Sequence, residues 1–82
     1  MSKRTIDRLA SMQDILKTAI EIEEEAMNYY IQARKHARTH EEETHFDSLA
    51  KQNEDRLKLL KDMLQEIEAQ IEIDRALSYD VY

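Results

Sequence analysis

Glycine, proline, cysteine and tryptophan are all missing from this chain of 82 residues. Without Gly or Pro there is little to build tight turns from, which argues against hairpins of strands, sandwiches and long irregular loops. Without Cys no disulfide framework forms; that composition fits a reducing compartment, and a cytoplasmic location is the expectation. Aromatic residues make up only 6% of the chain. Long hydrophobic runs are missing too. The N-terminal segment Met1-Ser-Lys-Arg-Thr-Ile-Asp7 is charged, with no apolar stretch behind it, so neither a signal peptide nor a membrane span is expected. The net charge of −6 argues against nucleic acid or an anionic membrane surface as a partner.

What remains is the vocabulary of long helices. Charged residues account for 37% of the chain, and Ala, Leu, Ile, Glu, Lys, Gln and Arg dominate. The length allows one small domain spanning residues 1–82. Apolar residues spaced three and four apart (Ile15, Leu16, Ala19, Ile20, Ala26, Met27, Tyr30, Ala37) predict a first helix over about 12–37, with Ser11 as N-cap and Asp14 three residues on. Glu23 falls on the same stripe. Thr39 followed by Glu42 is a second capping box and starts a second helix over about 40–76. Its stripe is Phe46, Leu49, Ala50, Leu57, Leu60, Met63, Leu64, Ile67 and Ile71, with Asn53 completing the rhythm and Arg56 bordering it. Lys58, Lys61, Asp62, Glu66 and Glu68 form the expected wet face, supported by the i,i+4 pairs Asp47/Lys51 and Glu54/Lys58. Residues 1–10 suggest a short leading helix, and the tail 77–82 has no clear period.

A connection this short makes the helices antiparallel neighbours. A two-helix hairpin leaves half of each stripe wet, and chains of this size struggle to close a core alone. Two hairpins packed face to face make a four-helix bundle, so the expected state is a homodimer with two-fold symmetry. A monomeric hairpin is the simpler alternative.

The segments Glu23-Glu-Glu-Ala26-Met-Asn-Tyr-Tyr30 and Phe46-Asp-Ser-Leu49-Ala50-Lys-Gln-Asn53-Glu-Asp-Arg56 carry a resemblance. The first resembles Glu-x-x-Ala-x-x-x-Tyr and the second Phe-x-x-Leu-Ala-x-x-Glu-x-x-His, the helix patterns of the rubrerythrin branch of the ferritin-like superfamily. The likeness spans about residues 12–72. It implies a ferritin-like bundle in which inward Glu and Glu-x-x-His groups hold two iron ions, and chemistry such as peroxide reduction. Glu23 matches a ligand position of that family, whereas Asn53 and Arg56 stand where a Glu and a His belong. Arg carries a permanent positive charge and cannot ligate a cation, and Asn offers only a neutral carbonyl. The expectation is therefore a polar layer in place of the metal site, with Glu23 paired to Arg56 and Asn53 filling the remaining hydrogen bonds. No catalytic residue, cofactor or bound metal is expected. If that pair is buried, Glu23→Ala strands a guanidinium at a cost on the order of 3–5 kcal/mol. The alternative is an Arg56 that snorkels into solvent.

A literal Glu-x-x-His, Glu42-Glu-Thr-His45, lies beside the turn. Glu42 is better explained there as the partner of Thr39, and His36, His40 and His45 as exposed residues around the turn. Tyr30 is expected in the core with its hydroxyl bonded, and Tyr29 at an edge or against a partner. Met12, Met27 and Met63 read as gap fillers. Three functional readings follow. One is a non-catalytic ferritin-like module with a structural or interaction role, including contact with a protein partner. Another is an iron-binding relative in iron handling or peroxide defence, using Glu23 and Glu54. The last is a plain coiled-coil hairpin without ferritin ancestry.

Overall fold

The computed structural model describes residues 3–80, with side chains for 4–77. It contains two helices, α1 (Lys3–Arg34) and α2 (His40–Asp80), packed antiparallel along their length. The first helix begins well before Ser11. The sequence suggests a separate leading turn, but nothing interrupts the backbone hydrogen bonding there, because Arg4 to Ala10 contains no helix breaker. Ser11 accordingly is not a cap: its Oγ donates to the Asp7 carbonyl at 3.1 Å, a side chain folded back within a continuous helix. At the other end the tail is helical through Asp80, and residues 81–82 lie outside the described range.

The turn shows how a chain without glycine reverses direction. The first helix stops at Arg34, short of Ala37, and tightens into i→i+3 bonds: Lys35 N–H to Gln32, His36 N–H to Ala33 and Ala37 N–H to Arg34, at 3.0–3.1 Å. No described residue takes a positive φ, so the left-handed glycine cap used by many helices is not needed. Thr39 then caps α2. Its Oγ1 accepts the Glu42 N–H at 3.1 Å, and the Glu42 carboxylate accepts the Arg38 N–H at 2.7 Å. Glu41, Glu42 and Glu43 in the first turn complement the positive end of the helix dipole. Thr39→Ala should cost about 1 kcal/mol, read as a lower urea midpoint with unchanged slope.

Between the helices the spacing is strictly three-four. On α1 it runs Leu9, Gln13, Leu16, Ile20, Glu23, Met27, Tyr30; on α2 it runs Phe46, Ala50, Asn53, Leu57, Leu60, Leu64, Ile67, Ile71, Asp74. An average of 3.5 residues per repeat keeps one seam facing the neighbour, as in a left-handed coiled coil. Leu16, Ile20, Leu57 and Ile71 are the buried apolar core, and Asn53 and Asp74 are buried with them. Asp74 accepts a 2.7 Å bond from Gln70 through Oδ1, while its Oδ2 is buried without a donor among the described residues.

The two broad sides of the hairpin differ. One is closed by polar links: Gln13 to Glu68 at 2.8 Å, and Arg34 to Asp47 at 2.7 Å with Glu43 at 3.7 Å. Glu68 thus bridges the helices instead of lying on the wet face. Asp47 is drawn to Arg34, and Lys51 pairs with Asp55 and Glu54 in place of the expected Asp47/Lys51 and Glu54/Lys58 pairs. Cross-helix contacts decide the partners of Asp47 and Glu68, while Lys51 keeps to i,i+4 and i,i+3 neighbours on its own helix. The opposite side is apolar on α1 and mixed on α2. On α1, Met12, Ile15, Ala19, Ile22, Ala26 and Tyr29 form a second three-four seam, rotated by about 100° from the core seam. On α2 the seam about 100° from the core seam is mixed: Leu49, Leu59, Met63, Ile73 and Leu77 are interrupted by Gln52, Arg56, Glu66 and Gln70. Because the helices run antiparallel, these two rotations bring both second seams to one side of the pair. The hairpin measures 66 × 14 × 12 Å with a radius of gyration of 18.6 Å. A compact domain of this length would have about 12 Å, so the molecule is a rod with an open flank.

Candidate functional site

Glu23, Asn53 and Arg56 occupy or border core positions about two-thirds of the way along α1. Glu23 shares its heptad rank with Leu16 and Tyr30, and Asn53 shares its rank with Phe46 and Leu60. Arg56 lies one turn beyond Asn53, on the edge toward the open side. The fold brings all three side chains together. Asn53 Nδ2 donates to Glu23 Oε2 at 2.5 Å, and Arg56 Nε donates to both carboxylate oxygens, at 3.1 and 3.2 Å. Asn53 is 2% exposed, whereas the Glu23 and Arg56 side chains are 20% and 54% exposed.

These exposures set the electrostatics. The Asn53 hydrogen bond is the main influence holding the Glu23 carboxyl below its ordinary value of 4.5. Partial burial opposes it, and the Arg56 N–H and positive charge add to the lowering. The ion pair itself is not a closed buried one. A single Arg56 nitrogen serves both oxygens, rather than two nitrogens meeting two oxygens in the strong fork arrangement. The two terminal guanidinium nitrogens bond nothing among the described residues. Asn53 Oδ1 is likewise buried without a donor.

The arrangement is a carboxylate held by N–H donors from Asn53 and Arg56. The permanent positive charge of Arg56 lies against the carboxylate and disfavours a cation there. Among the described residues no three His, Cys, Asp or Glu side chains gather closely enough to hold a metal ion. The Glu42-to-His45 motif is spent on the turn: Glu42 accepts Arg38, and the His45 ring sits 6.0 Å from Phe46. Glu54 is exposed and paired with Lys51, away from Glu23. His36, His40 and His45 are all exposed around the turn. Tyr30 departs from expectation. It is only half-buried, its hydroxyl bonds no described residue, and its ring meets Tyr29 edge-on at 5.6 Å. The single-layer rod leaves the residue only partly covered.

Asp74 and the apolar seam of Ile22 and Leu59 are the features the sequence reading passes over. Asp74 sits three heptads past Asn53 in the same rank, so continuing the three-four rhythm beyond Ile71 would have marked it as a buried polar group. Fold and site together define an all-α, two-helix hairpin with an internal carboxylate–amide–guanidinium cluster. No protein-family model, curated protein or solved structure matches this chain. No helix among the described residues is long and apolar enough to cross a membrane.

Proposed function

We propose that this chain is a non-catalytic, ferritin-like helical module of rubrerythrin type, which pairs with a second copy into a four-helix bundle and serves a structural or interaction role. The observation that carries the reading is the contact of Asn53 and Arg56 with Glu23. These residues stand at the three positions where the resemblance calls for iron ligands, and they satisfy one another with N–H donors instead of binding a cation. A polar layer inside a largely apolar seam fixes helix register, because any slip buries a carboxylate or amide against hydrocarbon.

A second reading has its own support. The unbroken three-four spacing on both helices suits a coiled-coil hairpin without ferritin ancestry, in which Asn53 is simply the register-setting polar residue. Restoring the family pattern separates the two. The double variant Asn53→Glu with Arg56→His should acquire ferrous iron binding that the parent lacks, measured by anaerobic loading and metal analysis of the sized protein. A double variant that binds no iron removes the ancestral reading and leaves the coiled coil. Stoichiometric iron on the parent chain, lost in Glu23→Ala, would refute the non-catalytic reading instead.

A further inference from the structure

The open side of the rod carries a pattern that matches itself when reversed. Its α1 seam is Met12, Ile15, Ala19, Ile22, Ala26 and Tyr29, with no charge among them. About a point midway between Ala19 and Ile22, large residues answer small ones: Ile22 stands opposite Ala19 and Ile15 opposite Ala26, with Met12 opposite Tyr29. The mixed α2 seam does the same about Lys61. There Leu59 stands opposite Met63, Arg56 opposite Glu66, Gln52 opposite Gln70 and Leu49 opposite Ile73. Apolar answers apolar, amide answers amide and cation answers anion. The two midpoints lie level in the hairpin, because the contacts Gln13–Glu68 and Arg34–Asp47 set residue 61 beside residue 20.

No single chain can use these matches. Arg56 and Glu66 stand ten residues apart on one helix, about 15 Å along its axis. The two terminal nitrogens of Arg56 and the Glu66 carboxylate bond no described residue. Gln70 donates its amide N–H to Asp74, while its side-chain carbonyl and the whole Gln52 amide bond no described residue. An antiparallel second copy pairs all of these groups at once. Sliding it by one heptad sets Arg56 against Ile73 or Leu59, and Glu66 against Met63 or Leu49. The polar residues of α2 therefore select one register.

The area is sufficient. The chain exposes 6650 Å², where a compact protein of this mass would expose about 5,200 Å². The surplus exceeds the roughly 800 Å² that each partner contributes to a stable interface. Ile15, Ile22, Tyr29 and Leu59, all on this side, are each 59–70% exposed.

We propose that a second copy covers this side, related by a two-fold axis that crosses the rod at the height of residues 20–21 and 61. Each α1 then packs antiparallel on the partner's α1, and each α2 on the partner's α2. Arg56 spans its own Glu23 and the partner's Glu66, and Gln52 donates to the partner's Gln70. The two turns lie at opposite ends, as the single long crossover of a ferritin-like bundle also places them. This rests on the dimeric reading above and adds to it the face, the register and the exchanged pairs.

Because the chain has no cysteine, paired thiols test the register. In the double variant Gln52→Cys with Gln70→Cys, each thiol meets the other thiol of the partner, and mild oxidation should give a covalent dimer on non-reducing gels. Within one chain these positions are about 27 Å apart, far beyond the roughly 7 Å that a disulfide tolerates between Cα atoms. Each single variant holds its two copies of the same thiol about 27 Å apart across the axis, so neither should cross-link. A heptad slip separates the paired thiols by about 10 Å and abolishes the bond. Glu66 is exposed and has no described partner. Glu66→Arg should raise the dimer dissociation constant at least about tenfold while circular dichroism shows the helices intact, because like charges then face each other. Cross-linking in the double variant alone, together with that weakening, supports the arrangement. A dimer whose double variant stays uncrosslinked, whose single variants cross-link equally, or which ignores Glu66→Arg overturns it and leaves a dimer built another way. A parent chain that is monomeric at about 100 μM, well above the micromolar dissociation constants of weak pairs, overturns the dimeric reading itself.

Discussion

Leu57→Ala should destabilise the folded protein by about 3 kcal/mol, within the 2–5 kcal/mol range of buried leucine truncations. Leu57 is 6% exposed and, with Leu16, Ile20 and Ile71, makes up the buried apolar core among the described residues. It follows Asn53 by one turn and lies on the same seam, so the cavity opens next to a buried amide. In a large domain neighbouring side chains would move in. Here each helix has a single neighbour and relaxation is limited, which places the cost in the middle of the range rather than at its floor. Urea denaturation with helicity as the signal reads the effect directly. A loss under 1 kcal/mol would mean that the interhelical seam contributes far less than its burial implies.

Glu23→Ala should cost about 2 kcal/mol in the isolated hairpin, chiefly because Asn53 Nδ2 is left buried without an acceptor. The value of 3–5 kcal/mol that follows from a buried ion pair is too high for one chain. Arg56 is more than half exposed and stays hydrated when its partner is removed. Covering by a second copy would bury that guanidinium and bring the cost back toward 3–5 kcal/mol. The penalty should therefore grow with protein concentration, which equilibrium unfolding at several concentrations detects. Glu23 also makes stability depend on pH. Its folded-state value lies below 4.5, so as pH falls the unfolded chain takes up the proton first. The contribution is complete above about pH 5.5 and is lost as pH drops through the lowered folded-state value. The stability difference between the parent and Glu23→Gln should shrink across that acidic window. A difference that stays constant from about pH 6 to about pH 3 would show that the carboxylate is not held by Asn53 and Arg56.

Arg56 and Asn53 also mark where reading from sequence stops being enough. Their place beside the apolar stripe is visible from spacing alone, and so is their charge match to Glu23. Which nitrogen meets which oxygen is not, because that depends on the axial offset of two helices. Here it is Asn53, not Arg56, that makes the shortest bond and the main electrostatic influence on Glu23. The same offset explains why Asp47 leaves Lys51 for Arg34, and why Glu68 turns to Gln13. Ser11 misled for a local reason: a capping pattern is only a competitor to the helix, and nothing upstream stops the helix from continuing.

Composition and period by themselves determined that this chain is two helices and a short turn. The absence of Gly and Pro argues against turn-rich architectures, and the Thr39–Glu42 pattern places the start of α2. The resemblance to rubrerythrin-type helices singled out Glu23, Asn53 and Arg56, and the period placed them on or beside the apolar stripes. Only the tertiary structure decided that these three groups meet and how each is exposed. It also showed that one side of the rod is sealed by polar links while the other is left open. The physical reason is that a period of three and four assigns residues to faces of one helix. Which faces turn toward each other, and at what height, is set by packing between helices, and no single helix encodes it.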